Sequence, residues 1–234
     1  IHAATMVKAG VYLVARFSPI WNVDFFYYVL MALAGVSVIA AAFGALITTD
    51  LKRVLAYSTI SQLSYMFLAF TIRSDVEAGL FAGKMHLFSH SIFKALLFLS
   101  AGAIIHSVAE ERDIKKMGGL RRELPWVYGF MLVGVLGLIG IPIITNGGYS
   151  KELIITASYE AAIDGHSEYW FVFIVAVLTA LLTALYASRM FLMIFHGENR
   201  GVHVHKPKYI MRITLGILAV LVVATGFIIE GPLH

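Results

Sequence analysis

The chain has 234 residues, of which 59% are hydrophobic and 14% charged, with a formal net charge of +4. A mean hydropathy of +0.83 excludes an ordinary soluble domain. The absence of cysteine excludes disulfides, iron–sulfur clusters and thiolate metal sites.

Seven apolar segments follow one another, which makes the expected fold class an all-α integral membrane protein of about seven transmembrane helices. The first, about 2–15, is short and contains Lys8, with Arg16 as an interface anchor at its end. Lys8 reads equally as a lysine near an artificial end and as a functional group. Because the sequence opens with Ile inside an apolar run, it is expected to be a piece lacking its N-terminal part. Residues 25–47 run for 23 positions without a charge. That is enough to cross a hydrocarbon core of roughly 30 Å. The third segment, 54–72, carries Ser58, Thr59, Ser61, Gln62 and Ser64. The i, i+3, i+4 spacing of Ser58, Ser61 and Gln62 predicts one polar seam, for interhelical hydrogen bonds first and a water path second.

The fourth segment, 85–108, holds His86, His90 and Lys94. A step of four residues turns a helix by about 40°, so the three share one stripe. A charged group at mid-helix in a bilayer costs ~2.5–3.5 kcal/mol on the insertion scales. Histidine can gain or lose a proton near neutrality. Lys94 lies about 15 Å into its span at 1.5 Å per residue, too deep for easy snorkelling. An ion relay is therefore favoured over histidines merely satisfied by helix–helix bonds. Zinc is disfavoured, because no carboxylate or thiolate stands beside the pair of histidines. His203 and His205 fall in a loop, where solvent exposure is the default.

The fifth segment, 125–163, contains Pro142, Thr145, Asn146, Gly147 and Gly148 just before Lys151. Proline removes a donor and glycine loosens a helix, so a break in mid-membrane is expected. Glu152 points about 100° away from Lys151 on a helix. Position alone leaves Lys151 open between capping a re-entrant helix and carrying an ion. Segments 169–195 and 210–229 complete the set.

The positive charges test whether 125–163 crosses once or twice. With one crossing, loops 48–53, 107–124 and 189–212 share a side and hold 12 of the 18 Lys and Arg residues. Arg16, Arg73 and Lys84 lie opposite, and Lys8, Lys94 and Lys151 lie within spans. Two crossings would divide the loop charges 7 against 8. The positive-inside rule favours one broken crossing, with the three basic loops on the cytoplasmic (or matrix) side. Scattering over span-flanking loops also removes nucleic acid as the partner behind a pI near 9.2.

Longer signatures are present as well: HAATMVKAGVYLVAR, TDLKRVLAYSTISQLSYMFLAF, HLFSHSIFKALLFLSAGAIIH, KKMGGLRRELP, YSKELI and YASRMFLMIFHG. On these runs the chain resembles the antiporter-like proton-translocating subunits of respiratory complex I, most of all the subunit L (chain 5) family. Membrane-bound hydrogenase subunits and Mrp-type sodium/proton antiporters share the pattern. The resemblance implies two inverted five-helix repeats, each with one broken helix. It assigns 1–16 to the last helix of the first repeat, 24–196 to the second repeat and 209–230 to a following helix.

The resemblance also implies that His86, His90 and Lys94 form the central relay. Lys151 would then be the lysine of the second broken helix, on the outlet side, and Lys8 the lysine linking the two half-channels. Many members of the subunit L family carry an uncharged residue at the position of Lys8. The glutamate–lysine pair of the first broken helix is expected to precede this sequence, and the lateral helix of subunit L to follow it. The implied activity is proton translocation coupled to electron transfer to quinone elsewhere in a multisubunit complex, in the bacterial plasma or inner mitochondrial membrane. No cofactor is expected in this chain, and its partners would be other membrane subunits, lipid and protons. A sodium/proton antiporter subunit and a purely structural scaffold are the rival readings.

Overall fold

The computed structural model describes residues 6–17, 24–73, 76–142, 144–205, 207 and 209–230. Residues 2–5 of the first expected span, and Lys206 and Lys208 of the third basic loop, lie outside the described residues. The helices are α1 (Val7–Phe17), α2 (Asp24–Ile47), α3 (Leu51–Phe70), α4 (Val76–Ser107), α5 (Leu120–Glu123), α6 (Pro125–Ile139), α7 (Asn146–Ile163), α8 (Tyr169–Phe195) and α9 (Tyr209–Glu230). Among the described residues there is no strand, and one isolated bridge joins Asp50 to Asp113.

Four of these helices are long and apolar enough to cross a membrane alone: Asp24–Ile47, Glu77–Ser107, Tyr169–Phe195 and Tyr209–Phe227. α3 is long enough at 20 residues, but its hydroxyls and Gln62 make it less apolar. It also begins earlier than its apolar run suggested, because Asp50 caps it by accepting the Arg53 amide at 3.0 Å. Likewise α4 starts about two turns ahead of the expected span, at Val76.

α4 is the axis of the bundle, packed against α1, α3, α6, α7 and α9. Its Phe93, Leu96, Leu97, Ile104 and Ile105 join Leu51 and Val54 of α3 and Met131 and Leu138 of α6 in the largest apolar core. A smaller contact through Val11, Ala15, Met66 and Phe70 lays α1 on α3.

The three basic loops meet at one end of the bundle. The Leu51 amide donates to Arg112 O and the Ile114 amide to Thr49 O, each at 2.9 Å. The Gly119 amide donates to His196 O at 3.2 Å and the His205 amide to Ser107 O at 2.8 Å. At the opposite end, Asp24 of α2 pairs with Arg73. The Arg73 amide in turn donates to the Tyr169 hydroxyl at the start of α8. Together α6 and α7 carry the chain from the first end to the second.

The segment 125–163 is broken, as its composition predicted, but not by the glycines expected to loosen it. α6 ends at Gly140, whose φ of +85° is the left-handed conformation that glycine adopts at helix C-termini. Pro142 follows in the turn, and Thr145 restarts the helix by accepting the Gly148 amide. Gly147 and Gly148 lie inside α7 and serve close approach instead. A Cβ at Gly147 would sit 1.8 Å from Gly137 O, and one at Gly148 would sit 2.3 Å from Ile141 O. They let the two half-helices overlap.

Candidate functional site

The ionisable groups expected within spans are all buried. His86, His90 and Lys94 have no exposed surface, Lys151 is 3% exposed and Lys8 is 7% exposed. The histidine rings stand 6.2 Å apart along α4, one helical step of four residues. Phe93 sits against the His90 ring at 5.3 Å and packs toward Gly137 and Gly147 at the break.

His86 is held on both ring nitrogens. Nε2 donates to Gln62 Oε1 at 3.1 Å, and Nδ1 lies 2.9 Å from Ser150 Oγ. With that tautomer, Nδ1 of the neutral ring accepts the Ser150 hydroxyl. Ser150 also has Gly147 O within 3.3 Å, a second place for its proton. The Gln62 amide nitrogen reaches Thr183 Oγ1 at 3.4 Å, which links α3, α4, α7 and α8 through one histidine.

Lys94 does not snorkel. Its Nζ donates to Ser58 Oγ at 2.7 Å, and Ser58 shares a 2.8 Å hydrogen bond with the Tyr186 hydroxyl. The Phe98 ring lies 5.9 Å from the same Nζ. His90, between His86 and Lys94, has no protein partner on either nitrogen among the described residues. Lys8 Nζ has none either.

Lys151 is bound differently. Its Nζ donates to Leu138 O at 2.7 Å and Ile139 O at 3.2 Å. These carbonyls belong to the last turn of α6, where no further helical amide is available. Lys151 thus caps a helix end, but in the interior rather than at an interface. Glu152 is exposed and points away, as its phase requires.

The seam predicted on α3 divides. Ser58 and Gln62 face α4 and α8, whereas Ser61 turns toward α2 and donates to Val38 O at 3.1 Å. On the helix Ser61 stands about 60° to one side of Ser58 and about 100° from Gln62, enough to put it across a different groove from Gln62's partners. Thr59 bonds back to its own helix at Leu55 O.

Three polar residues of this network were not singled out from the sequence. Ser150 was passed over beside Lys151. Tyr186 and Thr183 lie in the apolar run of α8, yet Thr179, Thr183 and Tyr186 at i, i+4, i+7 form a polar line that could have revealed them.

A bundle of apolar helices, one pair of them separated by a break and several carrying buried lysines or histidines, defines an integral membrane protein. The family described as NADH:quinone oxidoreductase/Mrp antiporter, transmembrane, matches residues 1–183, and the chain belongs to it. It is 40% identical to NADH-quinone oxidoreductase subunit L of Escherichia coli (strain K12), over 100% of this chain and 36% of that protein. It is 41% identical to NADH-ubiquinone oxidoreductase chain 5 of Allomyces macrogynus, over 97% of this chain and 35% of that protein. The chain thus spans about a third of the length of these relatives. The fold matches a chain in the structure of the Mrp complex from Dietzia sp. DQ12-45-1b, with a TM-score of 0.85 and 21% identity. That match covers 98% of this chain and 50% of the Dietzia chain.

Proposed function

We propose that this chain forms part of a proton-translocating membrane subunit, in which Lys8, His86, His90, Lys94 and Lys151 pass protons. The observation that carries the reading is the line of buried basic groups on α4, of which His86 and Lys94 are joined by hydroxyls and an amide to α3, α7 and α8. In an interior of low dielectric such groups are costly, and they interact strongly enough for a proton at one to disfavour a proton at the next.

Ser150 supplies a hand-over. When Nδ1 of His86 takes a proton, the Ser150 hydroxyl turns to Gly147 O and accepts from His86 instead. The same ring is then held in both states. At Lys94, Ser58 and Tyr186 offer a hydroxyl pair that leads toward the basic-loop end, where α8 finishes. His90 and Lys8, with no protein partner among the described residues, are the points where water would exchange hydrogen bonds with the relay. Ser58 and Gln62 line this water path, and Ser61 does not.

In this reading α1, α3 and the α6–α7 pair cross the membrane alongside the four long helices, giving seven crossings. The chain then holds the end of one inverted repeat (1–16), a second repeat (24–196) and a following helix (209–230). The basic-loop end faces the cytoplasm or matrix. Other membrane subunits are the partners, and electron transfer to quinone elsewhere in the complex drives the protons. Neither a structural scaffold nor a sodium site accounts for a buried line of basic groups: a sodium ion requires an oxygen cage.

The test is Lys94→Ala or Lys151→Ala in the full-length subunit within its complex, reconstituted in vesicles. Proton pumping is expected to fall several-fold relative to electron transfer. Normal pumping at unchanged electron transfer would overturn the proposal, and sodium-dependent transport would favour the antiporter reading.

A further inference from the structure

A depression lined by none of the relay residues runs down the seam between α6 and α9. Its upper part is a cavity of about 500 Å³ at the basic-loop end, bordered by Arg122, Glu123, Trp126, Tyr209 and Arg212. Its lower part is a groove of about 790 Å³ whose lining contains no charged residue and includes Gly129, Val133, Gly216, Val220 and Ala224. Pro125, Trp126 and Phe130 line both, so the two parts are continuous.

We infer that this depression binds one anionic glycerophospholipid, with its phosphate at Arg122 and Arg212 and an acyl chain in the α6–α9 groove. The charge distribution argues for this occupant. Two arginines against Glu123 leave the upper cavity net positive, and α6 and α9 both begin there, with their partial positive charge turned toward it. The Arg212 guanidinium lies 3.4 Å over the Trp126 ring and 5.9 Å from that of Tyr209. Stacking fixes its plane and leaves its edge for a bidentate phosphate oxygen pair. Arg121 is not part of the site, since it stacks on Tyr128 at 5.0 Å. Tryptophan and tyrosine beside arginine mark the headgroup level of a bilayer.

The dimensions agree. From Arg212 to Ala224 the groove follows α9 for ~18 Å at 1.5 Å per residue. One leaflet of a ~30 Å hydrocarbon core is of that depth. The floor is built of small residues: nothing lies within 4 Å of where a Cβ at Gly129 would stand. Two glycines and two alanines, Gly129, Gly216, Ala219 and Ala224, therefore leave a channel beside Phe130, in a place where a helix would ordinarily carry larger side chains.

The experiment uses the full-length protein in its complex, in nanodiscs, with photoactivatable phosphatidylglycerol or phosphatidylcholine carrying the reactive group on an acyl chain. Wild type is expected to be labelled on α6 and α9 roughly fivefold more by the anionic probe than by the zwitterionic one. Arg212→Gln is expected to bring the two probes close to parity. Gly129→Leu, which fills open space and should leave folding intact, is expected to abolish labelling on both helices by either probe. Equal labelling of wild type by the two probes would overturn the proposal. So would unchanged labelling of Gly129→Leu. Absence of labelling by either probe would also overturn it, and would point to a helix of the protein or of a neighbouring subunit in the groove.

Discussion

The continuous helix α4 and the broken pair α6–α7 each bury a lysine, and they hold it by different means. In α4 every carbonyl near Lys94 is committed to the helix, so the ammonium must find a side-chain oxygen, Ser58 Oγ. In α6–α7 the break itself supplies the acceptors, and Lys151 takes two backbone carbonyls of the preceding half-helix. Lys94 is thus a guest of its neighbours, removable without disturbing its own helix. Lys151 is part of what makes the break tolerable, since its removal leaves buried carbonyls without donors.

Glycine substitution breaks the comparison most sharply. Gly147→Ala forces a Cβ into Gly137 O and should cost about 3 kcal/mol or more, seen as loss of assembled protein or a large drop in Tm. Gly102→Ala in α4 meets nothing within 4 Å and should be neutral or stabilising by about 0.5–1 kcal/mol. Equal effects at the two sites would show that the half-helices do not overlap as closely as described here.

The lysines themselves come next. Lys151→Met should destabilise by about 1–3 kcal/mol through the orphaned Leu138 and Ile139 carbonyls. Lys94→Met should be neutral or stabilising, because Ser58 keeps Tyr186 as its partner and a buried charge is removed. Thermal unfolding of the two variants in the same detergent gives the difference; a larger loss for Lys94→Met would reverse the assignment of roles.

The smallest expected effect lies outside the membrane, in the loop after α4. Glu111 accepts the Arg112 and Asp113 amides and pairs with Lys116 at 3.2 Å. The two amides, more than the lysine, hold its carboxyl below its ordinary value of 4.5. A lowered carboxyl contributes stability that is present above the ordinary value and fades as pH falls through the lowered one. Protection of the Arg112 and Asp113 amides from exchange, relative to their intrinsic rates, should therefore be greatest above about pH 4.5 and fall below it. Glu111→Gln should flatten that dependence, and an unchanged profile would mean that other contacts order the loop.

Much of the site was legible because its residues violate their surroundings. A lysine or histidine in an apolar run needs no structure to be noticed, and its phase on α4 follows from 100° per residue. The break was legible from Pro142 and the run after it. Its mechanism was not, since the sequence does not say whether a glycine loosens a helix or admits a neighbour. Ser150, Thr183 and Tyr186 escaped notice because hydroxyls are common on membrane helices and gain meaning only from what faces them. Ser61 was misplaced for the complementary reason: spacing gives the face of one helix, not which neighbour stands opposite.

By itself, then, the sequence determined that this is an all-helical membrane protein with a line of basic groups in an apolar helix and one interrupted apolar segment, because apolar length and the cost of charge in hydrocarbon are properties of the chain alone. Only the tertiary structure decided which oxygen each lysine reaches, where the halves of the broken helix overlap, and that a groove with arginines at its mouth lies between α6 and α9. Those depend on contacts between segments distant in sequence, whose register is fixed by packing and not by any local pattern.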